Sequence, residues 1–124
     1  MSIPVDVADL ARALGDFGAG YLLSVTAEGR VKVVTIEPEV VDGTLLVTAP
    51  GRGSCANVAA RPSVTALFPP LEPRGFTLLV DGAGEVDGDD VRLTPTSAVL
   101  HRPASHSDGP AAPGGCGHDC APVT

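Results

Sequence analysis

The sequence predicts a mainly β protein: a small antiparallel barrel with one N-terminal helix and one short inserted helix. Segments rich in Val, Leu, Ile and Thr recur at short intervals, and turn residues separate them. The chain contains 15 glycines and 12 prolines, which are too many for a helical bundle. Its 124 residues suffice for one domain. Antiparallel strands joined by tight turns expose their edges unless the sheet closes, so a barrel is favoured.

Composition and charge exclude several classes of protein. Hydrophobic residues make up 44% of the chain but aromatic residues only 3%, so the core is expected to be aliphatic. The formal net charge of −7 argues against binding to nucleic acid or to an anionic membrane. No apolar run approaches the ~20 residues of a membrane span, and no signal peptide is recognisable. A cytoplasmic protein is therefore expected.

The first predicted element is an amphipathic helix over Val5–Leu14, because apolar residues recur there at helical spacing. Asp6 is a candidate cap for this helix, and Gly15 or Gly18 a candidate end.

A series of strands follows. Their composition is β-branched and aliphatic, and glycine, proline or aspartate clusters bound them. The predicted strands are Tyr21–Thr26, Val31–Val41, Thr44–Thr48, Val64–Phe68, Phe76–Val86 and Val91–Leu93, the first three forming a meander. Residues Ser97–Leu100 either continue the sheet or form a helical turn.

Breaks in this series are also predicted. Pro38 indicates a bulge or an unpaired edge position within the second strand, and Asp42-Gly43 indicates a tight hairpin turn. A short helix is predicted over Cys55–Ala60, with Ser54 as its N-cap and Pro62 as its stop.

The last 22 residues differ from the rest of the chain. Residues 103–124 contain no Lys, Arg, Leu, Ile or Phe, so they bury too little apolar surface to offset the entropy of ordering. The sequence therefore predicts a domain over residues 1–102 and a Pro/Gly-rich tail over residues 103–124.

Four motifs stand in a characteristic order: LLSVTAEGR, DGTLLVT, NVAARPSV and VDGAGEV. In this order they resemble the pyridoxamine 5′-phosphate oxidase-like family over about residues 8–102. The resemblance implies a six-stranded antiparallel barrel of the FMN-binding split-barrel type, assembled as a homodimer with flavin sites between the subunits. Such proteins bind FMN, a deazaflavin or occasionally haem. A flavin-dependent oxidoreductase acting on a small molecule is thus implied, with the cofactor supplying the chemistry.

The resemblance also implies where the phosphate of the cofactor binds. Lys32 matches a basic position on the second strand of the family, and Thr48 matches a strand end that precedes the short helix. A lysine binds phosphate as a point charge, although a solvated strand lysine is the ordinary alternative.

The other basic positions of the family fall on Gly53 and Ser54, so the expected Arg/Lys pair is absent. Arg52 stands one or two residues away and is a candidate substitute. The helix start at Ser54 offers free N–H groups and a partial positive charge, and Asn57 is a further donor. A loop with a simple cap is the alternative.

The resemblance implies that the flavin ring lies against the backbone of the second and third strands. Val33, Val34 and Thr35 are candidates by position alone, although β-branched residues there are more often simple sheet packing. Glu37 stands where many relatives carry a polar or basic residue. A carboxylate near a phosphate disfavours binding, so Glu37 argues against FMN.

The tail holds a second candidate site. Cys116, His118 and Cys120 place three soft ligands within five residues, and His101 or His106 is a possible fourth, which suggests zinc. The spacing is not a standard zinc pattern, so exposed thiols, a small disulfide or a redox thiol pair are alternatives. The tail is equally a candidate to cross to the partner subunit, where it would cover an apolar interface or the flavin site. Cys55 is expected to be a small buried residue.

Two other functions remain open from the sequence. One is a dimeric binding module that keeps the barrel and lacks a cofactor, which the missing basic pair favours. The other is a barrel with a metal-binding tail. No Ser-His-Asp set or Cys-His pair of recognised spacing is found in the barrel segment.

Overall fold

A computed structural model describes residues 1–107 of the chain, which form eight strands and three short helices. The helices are α1 (Leu10–Leu14), α2 (Arg52–Ala60) and α3 (Ala104–Ser107). The strands are β1 (Ser2–Val5), β2 (Gly20–Val25), β3 (Val31–Ile36), β4 (Glu39–Val41), β5 (Thr44–Val47), β6 (Ser63–Phe68), β7 (Thr77–Asp87) and β8 (Asp90–His101).

The strands form one antiparallel sheet in the order β3-β2-β6-β7-β8-β5-β4, with β1 beside β8. The strands at the two ends of this order, β3 and β4, are separated along the chain only by Glu37 and Pro38. The chain itself therefore connects the two ends of the sheet and wraps it into a barrel. The predicted antiparallel barrel is confirmed, with eight strands instead of six.

Alternate side chains of the strands fill the barrel. Because successive residues of a strand point to opposite faces, the buried positions follow a two-residue period in β2, β6 and the first half of β7. The buried apolar residues are Leu10, Leu22, Ile36, Leu45, Val47, Val58, Val64, Ala66, Phe68, Leu78, Val80, Val91, Leu93 and Ala98. Phe68 is the one aromatic member, as the composition predicts.

The N-terminal segment differs from its prediction. A 3-10 turn (Val7–Asp9) and the short α1 replace a single helix, and residues Ser2–Val5 form a strand that the sequence analysis missed. Pro4 is tolerated there because β1 is an edge strand that pairs only with β8. Asp6 does cap the turn, since its carboxylate accepts a hydrogen bond from the Ala8 amide at 3.0 Å.

The predicted long strand over Val31–Val41 is wrong as one element. It bends at Glu37 and Pro38 and becomes β3 and β4, because proline cannot donate to a sheet ladder. As a consequence β2 and β3 form one hairpin and β4 and β5 another, rather than a three-stranded meander. The Asp42-Gly43 turn is confirmed, with φ of 50° and 78° as a two-residue hairpin requires.

The last strand resolves the alternative left open at Ser97–Leu100. Residues Asp90–His101 form one long strand, which pairs with β7 along its whole length, and the register shifts between Asp81 and Gly82. This irregularity lies at Gly82, and a glycine inside a strand is typical of a bulge or bend.

The start of α2 also corrects the prediction. Its N-cap is Gly51, whose φ of 108° is accessible to glycine, and Ser54 lies inside the first turn rather than at the cap. The end of the helix is as predicted: Arg61 adopts an extended conformation before Pro62.

In the part of the chain that the structure describes, no helix has the length and hydropathy of a membrane span. The predicted boundary at residue 102 precedes α3, and the division into domain and tail stays a prediction. Cys116, His118 and Cys120 lie outside the described residues.

Candidate functional site

Lys32 lies on β3 opposite Ser24 of β2, half-buried between the exposed Val31 and Val33. Its ammonium group contacts the first turn of α2, where a Cβ added at Gly53 would collide with Nζ. Thus the absence of a side chain at Gly53 provides the space that the lysine occupies. A cation from the strand therefore stands beside the helix start, where the resemblance led us to expect cations on the helix itself.

The charges around this turn are unusual for a helix start. The first turn of α2 carries Arg52 and no acidic residue, and Lys32 adds a second cation. Neither cation forms an ion pair within residues 1–107. Cations near a helix N-terminus oppose the helix dipole, whereas an anion there is stabilised. The arrangement therefore favours a bound anion.

Ser54 is the second unusual feature. The residue is fully buried, and its Oγ has no hydrogen-bond partner. A buried hydroxyl without a partner costs about 1–3 kcal/mol. The first N–H groups of a helix also have no partners within the helix. The start of α2 thus has several unused donors beside two cations, which fits a phosphate group.

The side chain of Asn57, in contrast, is not an unused hydrogen-bond donor. Its Nδ2 donates to Oγ of Ser24 at 3.1 Å and ties α2 to β2. Ser24 was missed by sequence reasoning, although a serine at an inward position of an apolar strand is a detectable signal. The predicted donor therefore serves to position the helix over Lys32.

The predicted ring-binding residues are divided between the two faces of β3. Val34 points inward beside Leu22, whereas Val33 and Thr35 are exposed on the outer face. Lys32 and Val34 share a face, so Val33 and Thr35 are not brought to the lysine.

Arg52 borders a pocket on another side of the helix start. The pocket has a volume of about 480 Å³ and is lined by Ala49, Gly51, Arg52, Cys55, Gly88 and Asp89. Asp89 places a negative charge in this pocket. Thr48, exposed at the end of β5, leads into the same region, where the next amide, that of Ala49, donates to Asp90 at 2.9 Å.

Cys55 is half-buried in this pocket, and its Sγ donates to the backbone oxygen of Asp89 at 3.6 Å. Burial raises the pKa of the thiol, and the charges of Asp89 and Asp90 raise it further. The thiol is therefore protonated at neutral pH and is a poor nucleophile.

Glu37 lies at the other end of β3 from Lys32. It follows the strand by one residue and is exposed, roughly 16 Å along the chain at ~3.3 Å per residue. Its carboxylate is therefore remote from the Lys32 ammonium, which removes the objection that the sequence raised against phosphate binding there.

No group of three His, Cys, Asp or Glu side chains suited to a metal occurs among the described residues. His101 is engaged elsewhere, with Nδ1 3.0 Å from Oγ of Ser2. The predicted tail ligands lie outside the described residues, so the zinc hypothesis gains no support from the barrel.

Comparison with solved structures identifies the fold. The FAD-binding protein mll6688 of Mesorhizobium loti superposes with a TM-score of 0.61 at 16% identity, over 83% of this chain and 98% of that chain. A Listeria innocua protein, named as a candidate pyridoxamine 5′-phosphate oxidase, gives 0.61 at 14% identity over 76% and 96%. An F420 reductase gives 0.58 at 18% identity over 70% and 94%. At these identities the comparison shows the split-barrel fold alone.

No protein-family model matches the sequence. Two curated mycobacterial proteins do, each 39% identical over 132 aligned residues that cover 94% of this chain and 92% of the relative. They are the uncharacterized protein Mb0449c of Mycobacterium bovis and the uncharacterized protein MT0457 of Mycobacterium tuberculosis. With the fold and this similarity together, the chain belongs to the family of Mb0449c and MT0457.

Proposed function

We propose that this protein is a flavin-binding oxidoreductase that holds FMN or a phosphorylated deazaflavin and acts on a small molecule. The fold supports the proposal, because solved structures with this fold include proteins named as FAD-binding and as F420 reductase. The bound flavin would supply hydride transfer, and the protein would supply position and charge.

The observation that carries the proposal is the contact between Lys32 and Gly53 at the start of α2. The Lys32 ammonium and the positive end of the helix dipole repel each other unless an anion lies between them. A phosphate dianion would accept from Lys32 Nζ and from the N–H groups of the first turn, with Arg52 at the rim. Ser54 follows Gly53 in the same turn, and its buried hydroxyl without a partner is a further candidate donor.

We also propose that two copies of the chain assemble. Side chains on the outer face of β2 and β3 form an apolar surface, called here the outer apolar face. Its members are Tyr21, Leu23, Val25, Val31 and Val33. Val31 and Val33 are 61% and 54% exposed. A contiguous apolar surface in contact with water is unfavourable and is typical of an interaction site. A second copy would cover this face and, from its position beside β3, border the cofactor.

The test of cofactor binding compares two ligands that differ in the phosphate. FMN and riboflavin are titrated into the protein while flavin fluorescence and the visible spectrum are recorded. The Lys32→Gln substitution removes a charge-assisted hydrogen bond and is expected to weaken FMN binding about tenfold or more. The affinity for riboflavin should not change.

The Gly53→Ala substitution gives an independent test because its two effects have opposite signs. Alanine in place of a helical glycine raises the free energy of unfolding by about 0.5–1 kcal/mol. Displacement of the Lys32 ammonium should nevertheless weaken FMN binding. Ala56→Gly on the exposed side of α2 is the matched control, which should destabilise the fold and leave FMN affinity unchanged.

A specific observation favours one alternative, a cofactor-free binding module. Asp89 lines the same pocket as Arg52 and partly neutralises it. Failure of the wild-type protein to bind FMN or a phosphorylated deazaflavin at micromolar concentrations would reject the flavin proposal in favour of this alternative.

A further inference from the structure

A second pocket lies at the opposite end of β2 from Ser24 and Lys32. Two loops form it: the α1–β2 connection and the β6–β7 connection. Its volume is about 410 Å³, and it is lined by Asp16, Phe17, Pro70, Leu71, Glu72, Gly75, Phe76 and Leu100. None of these residues belongs to the proposed phosphate site, and the volume is within the range of small-molecule pockets.

The walls of the pocket are apolar and stiff. Phe17, Phe76 and Leu100 are half-buried, and Leu71 is 71% exposed, the most exposed large apolar side chain described. Leu71 lies close to the opposite loop, since a Cβ at Gly18 would be 3.4 Å from its Cδ2. Three prolines in the β6–β7 connection, Pro69, Pro70 and Pro73, restrict the backbone and favour a preformed site.

The charge of the lining has one sign. Asp16 and Glu72 both line the pocket, no basic residue lines it, and neither carboxylate forms an ion pair within the described residues. Two cations lie close by but point elsewhere: the Arg102 guanidinium is 4.2 Å from the centroid of the Phe76 ring, and Arg74 of the same loop donates to the backbone oxygen of Ser105. Within residues 1–107, no cation lies over the ring of Phe17.

The tail is a poor occupant for this pocket. The chain continues from α3 near the β6–β7 connection, where Arg74 donates to the backbone oxygen of Ser105 at 2.7 Å. However, residues 108–124 contain two Asp and no Lys or Arg, so their charge has the same sign as Asp16 and Glu72.

We propose that this pocket binds a small amphiphilic cation, an aromatic or branched aliphatic body that carries a protonated amine. The apolar body contacts Phe17, Leu71 and Leu100, and the ammonium group faces Asp16 and Glu72. An ammonium close to an aromatic face is also attracted by its quadrupole. The inference is independent of flavin binding, because the site is complete without the residues of the α2 start.

Three probes of the same shape and different charge test the proposal: 2-phenylethylamine, 2-phenylethanol and phenylacetate. Each is titrated into the full chain without flavin, and the methyl resonances of Leu71 and Leu100 are followed by NMR. The amine is expected to bind more tightly than the alcohol, by up to about fivefold for each exposed carboxylate that it reaches, and the acid more weakly than the alcohol.

The Asp16→Asn/Glu72→Gln variant should remove the preference for the amine while it keeps binding of the alcohol. Glu28→Gln/Glu85→Gln, with the same change in net charge at exposed sites elsewhere, should keep the preference. Equal affinities for the three probes, an unchanged preference in the first variant, or no shift of either methyl group with any probe would overturn the proposal.

Discussion

At the scale of single residues, two buried serines have opposite environments. Ser24 and Ser54 are the buried polar residues among those described. Oγ of Ser24 accepts a hydrogen bond from Asn57 at 3.1 Å, whereas Oγ of Ser54 has no partner. One serine stabilises the fold, and the other leaves a desolvated donor in the first turn of α2, which agrees with the proposed phosphate site.

Alanine substitutions should separate these roles. Ser24→Ala leaves the Asn57 amide without its partner and should lower the free energy of unfolding by about 1–3 kcal/mol. Ser54→Ala removes an unsatisfied hydroxyl and should leave the stability of the flavin-free protein unchanged or slightly higher. Urea denaturation measures both, and a loss of more than about 1 kcal/mol for Ser54→Ala would contradict the assignment.

The residues of the candidate site were only partly predictable. The alternation of a strand is local, so the position of Lys32 on the opposite face from Val31 and Val33 follows from the sequence alone. The contact of Lys32 with Gly53 depends on how α2 packs on the sheet, and no local pattern encodes it. Ser54 was misplaced as an N-cap because residue preference cannot detect a positive φ at Gly51.

At the scale of elements, α2 is held by its packing on β7. Val58 is buried, and a Cβ at Gly84 would lie 2.7 Å from its Cγ1. In addition, the Gly84 amide donates to the backbone oxygen of Pro62 at 2.8 Å. The missing side chain at Gly84 therefore sets how closely the helix approaches the sheet.

Gly84→Ala should push α2 away from β7 and lower the free energy of unfolding by about 1–3 kcal/mol, the usual cost of overpacking. Ala83→Val, the neighbouring position on the exposed face, should have little effect because it meets no helix. Thermal and urea denaturation of the two variants measure the difference. Equal stabilities would show that the helix can shift without cost.

At the scale of the whole molecule, the outer apolar face is unevenly placed around the barrel. It covers β2 and β3 and continues to the half-buried Leu67 and Leu79 of β6 and β7. Beside Leu23, however, the outer surface is polar, because Thr65 donates to Asp81. A polar border beside an apolar patch is typical of an interface. The proposed homodimer would therefore bury one side of the barrel and leave the other in solvent.

Val33→Asp should convert the dimer to a monomer, because a carboxylate buried in an apolar interface without a partner is strongly unfavourable. Sedimentation velocity measures the expected fall in mass from that of two chains to that of one chain. Thr94→Asp adds the same charge to β8, three or more strands away in either direction around the barrel, and should remain dimeric. A wild-type monomer, or a dimeric Val33→Asp variant, would exclude this face as the interface.

The sequence by itself determined where most strands lie and that an aliphatic barrel results. These properties depend on two-residue alternation and on turn residues such as Asp42-Gly43, which act within a few positions. Only the tertiary structure decided that β3 and β4 separate at Pro38, that Ser2–Val5 completes the sheet beside β8, and that Lys32 meets Gly53. Each of these depends on contacts between distant segments, and the hydrophobic driving force that creates them is not directional.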